Sequence, residues 1–245
     1  MTKYQSGVDA LNALNQSDEG GGSNAEFTPF KSGTTITVKV LGTADLISFY
    51  SYGIFKQVNS FVAKNPSKKS QRGNPVEDLT PWDKAWKYHA DKSEEFGDHR
   101  SQEAYKYKPK QRFALGFIDL DSGEPIIVDL SKNQAQAVHG EILKRQERLD
   151  QYAFELTKQG QSMNTTVSLS LIPVLDDLTD KQQKNFENAP EEFDMSLFEG
   201  LLYEADEDEQ IENLVRAGFD VNLIGLEAKA QEEGNTEEGE PDYDF

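Results

Sequence analysis

The sequence predicts a mainly β protein with added helices, of the α+β class, on three observations. Residues 34–42, TTITVKVLG, alternate polar and apolar, with Ile36, Val38 and Val40 on one side, the period of a strand buried on one face. Residues 111–131 carry two apolar runs around DLDSGE, a turn sequence between two strands. Residues 164–174, NTTVSLSLIPV, alternate again, with Val167, Leu169 and Leu171 inward.

The remaining elements follow in chain order. Val8, Leu11 and Leu14 allow a turn or two of amphipathic helix within 1–16, and SDEGGGSN (17–24) reads as a linker. The body starts near Phe27. Residues 45–65, DLISFYSYGIFKQVNSFVAKN, are aromatic and β-branched, and predict a bent strand or a hairpin with Gly53 at the bend. PSKKSQRGNP (66–75) is a basic loop. A short helix is predicted near Pro81–His89, with Thr80 as its cap and Pro81 in its first turn. A long helix is predicted over 131–160: Ser131 opens it, Gly160 lies past its end, and apolar residues at 135, 138, 142, 149, 153 and 156 form one stripe. The expected organisation is a flexible 1–26, a body over 27–174, an acidic helical region over 175–229 and a disordered acidic tail over 230–245. Helices are expected at 179–188, 190–205 and 208–229. From Ala230 onward the composition cannot bury enough apolar surface to order itself.

Charge divides the chain sharply. Of the 245 residues, 1–174 hold 21 Lys+Arg against 21 Asp+Glu, while 175–245 hold 4 against 23, so the net −19 lies wholly in the last third. Such an asymmetry points to an acidic appendage on a body with an acidic partner. Within the body, residues 56–112 hold 13 Lys+Arg and 8 Asp+Glu, a local excess of five cations. Aromatics interleave with them: Tyr50, Tyr52, Phe55 and Lys56, then Lys64, Lys68, Lys69 and Arg72, then Tyr105, Lys106, Tyr107, Lys108, Lys110 and Arg112. On an extended segment, Tyr105 and Tyr107 would face one way and Lys106 and Lys108 the other. Cations neutralise phosphates and flat rings stack on unpaired bases, which is what a single-stranded nucleic acid requires.

Other chemistry finds little support. There is no cysteine, so disulfides, thiolate metal sites and Cys nucleophiles are excluded. His89 and His99 stand among acids, but their spacing matches no closed zinc pattern. No phosphate loop, dinucleotide fingerprint or nucleophile elbow occurs. A non-catalytic protein without metal or cofactor is expected. No apolar run reaches the ~18 residues of a membrane span, and the N-terminus lacks the pattern of a signal peptide, so a cytoplasmic location is expected, that of a host cell if the protein is viral.

The basic–aromatic body, followed by a tail ending DYDF, resembles the single-stranded DNA-binding proteins of T-odd and T-even bacteriophages. Bacterial single-stranded DNA-binding proteins also end in acids and a terminal Phe. The resemblance implies an OB-fold, a five-stranded barrel, over about 27–174. It also implies a tail that competes with DNA for the groove and recruits replication proteins (polymerase, helicase or primase) through Asp242, Tyr243, Asp244 and Phe245. The sequence departs from the T-even pattern in lacking a Cys/His zinc module and a basic N-terminal arm, since Lys3 is the only base before Lys31. The expected function is coating of single-stranded DNA in phage replication or recombination. The alternatives are an acidic DNA mimic that inhibits a DNA-binding enzyme, and an enzyme with an acid-built metal site. Self-association stays open.

Overall fold

A computed structural model describes residues 26–161 and 164–227. In chain order the elements are β1 (Thr35–Lys39), β2 (Leu46–Ile54), β3 (Val58–Ala63), β4 (Lys68–Lys69), β5 (Pro75–Glu77), α1 (Pro81–Ala90) and α2 (His99–Tyr107). Then come β6 (Lys110–Asp119), β7 (Pro125–Ser131), α3 (Lys132–Leu143), β8 (Ala153–Gln159), β9 (Thr166–Ile172), α4 (Asp180–Asn188), β10 (Glu204–Ala205) and α5 (Glu207–Arg216). The protein is thus mixed α and β. Two compact units share the chain: Met1–Ser51 with Lys110–Glu204, and Tyr52–Pro109 with Ala205–Phe245. Of the described residues, 175–204 therefore belong with the first unit and 205–227 with the second.

The first unit is an antiparallel sheet with a helix against one face. β1 pairs with β8 in the register Ile36↔Leu156 and touches β6 at Val38↔Asp119. The first part of β2 pairs with β6 at Ile47↔Ala114, β6 with β7 at Ala114↔Asp129, and β8 with β9 at Leu156↔Leu169. Among the described residues no ladder joins β7 to β9, so the strands form no closed barrel. Inward-facing Val38, Leu115, Phe117, Val128, Phe154, Leu156 and Leu169 meet Val138 and Ile142 of α3 in one core. The opposite face of β2, β6 and β7 carries a second apolar layer, Ile47, Ala114 and Ile127 with Phe193, Phe198 and Leu201.

The 131–160 region departs from the single helix expected. α3 stops at Leu143, a 3-10 turn spans Gln146–Gln151, and β8 follows. Leu149, Ala153 and Leu156 are spaced as on a helix, but five residues of β8 pair with the open edge of β1. That pairing satisfies a row of backbone groups which a helix would have left exposed on β1. Segment 190–205 likewise holds no α-helix. It contains a 3-10 turn, Met195–Phe198, whose Phe193, Phe198 and Leu201 lie on the sheet.

The second unit is built around Trp82, which is fully buried. Rings of Tyr52, Phe61 and Tyr107 lie 5.2–6.0 Å from it, all in the edge-on geometry that aromatic quadrupoles favour. Its indole N–H donates to the Gln210 carbonyl at 3.0 Å, tying α1 to α5. The expected cap is present: Asp83 N–H donates to Thr80 Oγ1 at 3.1 Å, and Thr80 N–H donates to Asp83 Oδ2 at 3.3 Å, a capping box that satisfies two orphan donors. β2 and β3 form a hairpin whose turn is Phe55–Gln57, closed by Gln57 N–H on Ile54 O at 2.9 Å. Gly53 is not the turn. It has φ 139°, and a Cβ there would meet Ser60 Cα at 3.1 Å, so it permits close approach of the two strands at a register shift. Among the described residues no helix is long and apolar enough to cross a membrane.

Candidate nucleic-acid interface

The structure separates the expected site residues into core, paired and presented groups. Tyr52 and Tyr107 are core. They are 3% and 4% exposed, so their faces are not available to bases. The Tyr52 hydroxyl donates to Asp83 Oδ1 at 2.9 Å, and burial together with the adjacent Asp83 pushes its phenol well above the usual tyrosine range. Tyr107 stacks on His89 with ring centroids 5.7 Å apart and planes 7° apart, and meets Phe219 edge-on. The alternation expected over 105–108 fails because Tyr105, Lys106 and Tyr107 form the last turn of α2. On a helix it is residues three or four apart that share a face. Ala104 and Tyr107 therefore point inward, while Tyr105, 65% exposed, points out.

Several expected cations are committed elsewhere. The Lys69 side chain is only 9% exposed, with Nζ 3.5 Å from Asp83 Oδ2 and 3.3 Å from the Tyr52 hydroxyl, and it donates to Ser67 Oγ. Burial lowers its ammonium below the usual lysine range, against the opposing pull of Asp83. This is an internal ion pair, not a groove cation. Lys68 bridges the β4–β5 hairpin to Glu77 at 2.8 Å and Asp78 at 3.7 Å. Lys106 pairs with Glu103 at 2.6 Å, and Arg112 with Asp129 at 2.7 Å. Much of the local positive charge is therefore neutralised in place.

The presented residues are Phe55, Lys56, Lys64, Arg72 and Tyr105, all exposed, with Lys108 half-buried. Phe55 and Lys56 crown the β2–β3 hairpin. Phe55 is 88% exposed, and Lys56 Nζ lies 5.5 Å from its ring centroid. Lys56 has φ 65°, the left-handed conformation that the tight turn imposes and that a lysine adopts only under constraint.

In the first unit the sheet register decides which residues meet. Phe49 lies opposite Arg112 and Ser51 opposite Lys110, whereas Tyr50 lies opposite Gln111. Successive strand residues face opposite ways, so Tyr50 is on the other face from Lys110 and Arg112. Phe49 takes its place beside them, with the Phe27 ring 6.4 Å away. Sequence reasoning missed both. The period-2 signal in SFYSY was available, but not the face on which Arg112 would stand. Lys110 is exposed as a residue, while partial desolvation and the neighbouring Arg112 lower its ammonium below the usual lysine range. Phe96, wholly exposed between α1 and α2, was also missed. Asp242, Tyr243, Asp244 and Phe245, with the rest of 230–245, lie outside the described residues, as do residues 1–25.

No family model, curated protein or solved structure matches the chain.

Proposed function

We propose that this protein binds single-stranded nucleic acid, of the kind exposed in phage replication or recombination, without catalysing its chemistry. The observation that carries the reading is the Phe55–Lys56 hairpin tip: a large ring with no packing role, beside a cation, on a rigid two-stranded support. Base stacking on such a ring contributes ~1–3 kcal/mol and tolerates any base. Lys56, Lys64, Arg72 and Lys108 add phosphate neutralisation. The first unit is read as OB-like. One strand, β1, is shared between the β6–β7 and β8–β9 pairs, and α3 lies between β7 and β8. This shared strand and the helix between β7 and β8 support the reading as a partly open barrel, with β2 as an added strand on β6. The acidic tail ending in Phe245 recruits a replication protein, its carboxylates meeting bases and its rings an apolar pocket.

The test is Phe55→Ala in the full chain. Affinity for a fluorescent oligothymidine should fall roughly 5- to 150-fold, the equivalent of one stacked base, with the melting temperature unchanged. Tyr107→Ala should instead lower melting, because it opens a cavity in the core. Equal oligothymidine affinity of wild type and Phe55→Ala removes the hairpin from the site. A wild-type chain that binds neither single nor double strands returns the DNA-mimic reading.

A further inference from the structure

Segment 190–201, PEEFDMSLFEGL, runs over the face of β2, β6 and β7 that is turned away from α3. It adds no strand there. Its backbone hydrogen bonds are local turns, Leu197 N–H on Asp194 O, Glu199 N–H on Ser196 O and Leu201 N–H on Phe198 O. It is held by side chains. Phe193, Phe198 and Leu201 are buried against Ala114 and Ile127, with Ile47 and Phe49 at the margin. Gly116 makes the seat: a Cβ there would lie 2.6 Å from Cε1 and Cε2 of Phe193, so the ring rests directly on the β6 backbone. Phe193 and Phe198 are neighbours, 5.5 Å between centroids. The four carboxylates of the segment, Glu191, Glu192, Asp194 and Glu199, all stand outward.

Flat rings down on a sheet face and anions outward is the layout of a bound single strand: bases on the protein, phosphates at the rim. Lys110 and Arg112, the latter paired with Asp129, continue the same face along β6, with Phe49 across from Arg112. On the reading given above, we propose that segment 190–201 is an internal occupant of the nucleic-acid face of the first unit, and that an incoming single strand displaces it. One local feature favours release. Asp45 has a buried Oδ2 with no protein hydrogen-bond partner. Its carboxyl is raised by burial, against a backbone hydrogen bond from Gly42, and raised further by Glu192 of the segment. Seating the segment thus sets like charges against each other, and lifting it relieves them.

The test is amide hydrogen exchange of the full chain, with and without saturating oligothymidine. Displacement predicts that the amides of Leu197, Glu199 and Leu201 exchange at least about tenfold faster when oligothymidine is bound, as expected for loss of local structure. Binding with unchanged or slower exchange at these amides overturns the proposal and leaves the functional reading standing. Phe193→Ala should raise oligothymidine affinity about tenfold or more, because the occupant competes less well. Melting of the same sample guards against unfolding. If that variant does not fold, Phe193→Leu keeps an apolar side chain in the seat while removing the ring, and should raise affinity in the same direction; unchanged affinity there overturns the proposal. Failure of wild type and every variant to bind oligothymidine overturns the inference and the functional reading together. Binding by the variants alone supports both.

Discussion

Removing the Asp83 carboxylate should cost the protein about 3–5 kcal/mol, the range for breaking a buried ion pair by deleting one partner. Asp83 is fully buried and carries four contacts. It accepts from the Tyr52 hydroxyl at 2.9 Å, from Ser67 Oγ at 2.5 Å and from Thr80 N–H at 3.3 Å, and it faces Lys69 Nζ at 3.5 Å. In Asp83→Ala the ammonium of Lys69 stays enclosed without its counter-charge, and Thr80 N–H loses its acceptor, while the bond from the backbone N–H of residue 83 to Thr80 Oγ1 remains. Each buried polar group left without a partner costs about 1–3 kcal/mol, and the Tyr52 hydroxyl, Ser67 Oγ and Thr80 N–H all lose an acceptor, which places the loss in the same range. The double change Asp83→Ala, Lys69→Met removes the stranded charge and should recover a good part of the loss, because an apolar replacement of both partners is often neutral. The assay is urea unfolding of the full chain, followed by Trp fluorescence, since Trp82 sits within this core. A loss below about 1 kcal/mol in the single variant, or no recovery in the double, would show that Lys69 reaches solvent and would restore it as a groove cation.

Three further outcomes are expected. Burial, reinforced by Arg100, holds the His89 imidazole below its ordinary value of 6.5. The unfolded chain therefore takes up a proton first, and stability should fall as pH drops through that value toward the lower folded one. Urea midpoints at about pH 7.5 and about pH 5.5 check this, with His89→Phe reducing the difference. Gly160→Ala should destabilise by about 1–3 kcal/mol, since Gly160 has φ 91° and a Cβ there would collide with the Asn164 carbonyl. A melting temperature equal to wild type refutes it. Finally, the salt dependence of oligothymidine binding should be modest. At ~0.7 per phosphate on single strands, Lys56, Lys64, Arg72 and Lys108 give a log–log slope near −3. A slope beyond about −6 would mean that the cations paired in the structure also engage.

Much of the architecture was legible because strand periodicity and cap chemistry are local. The alternation of Ile36, Val38 and Val40, the DLDSGE turn and the Thr80–Pro81 helix start each follow from a few adjacent residues. The end of α3 was not legible. Leu149, Ala153 and Leu156 satisfy helical spacing as well as they serve a strand, and the deciding partner, β1, lies over a hundred residues earlier. The site shows the same limit. Charge counting registers Lys68 and Lys69 as cations but cannot place Glu77 or Asp83 against them. The YKYK run is identical in composition whether it is extended or helical. Only the Asp98 cap, whose carboxylate accepts from Ser101 N–H at 2.6 Å, marked it as helical. Phe55 was selected by its place among the aromatic residues, and its exposure is what distinguishes it from Tyr52.

The threading of the two units also sets an order in time. The first unit has all its described residues once Glu204 has been made, although its chain is interrupted by 52–109. The second unit does not: Leu214 and Phe219 in the Trp82 core, and the Gln210 carbonyl that takes the indole N–H, lie more than a hundred residues after Trp82 in the chain. During synthesis the aromatic rings of Tyr52, Phe61, Trp82 and Tyr107 therefore wait, uncovered, for a C-terminal helix. A chain that stalls near residue 200 has the first unit's sheet nearly finished but leaves the second unit's aromatic surface open, the kind of patch that chaperones retain and proteases reach first. Shortening the chain into α5, the Val221–Ile224 turn or Leu226, all of which pack in this core, should therefore leave the Trp82 cluster uncovered.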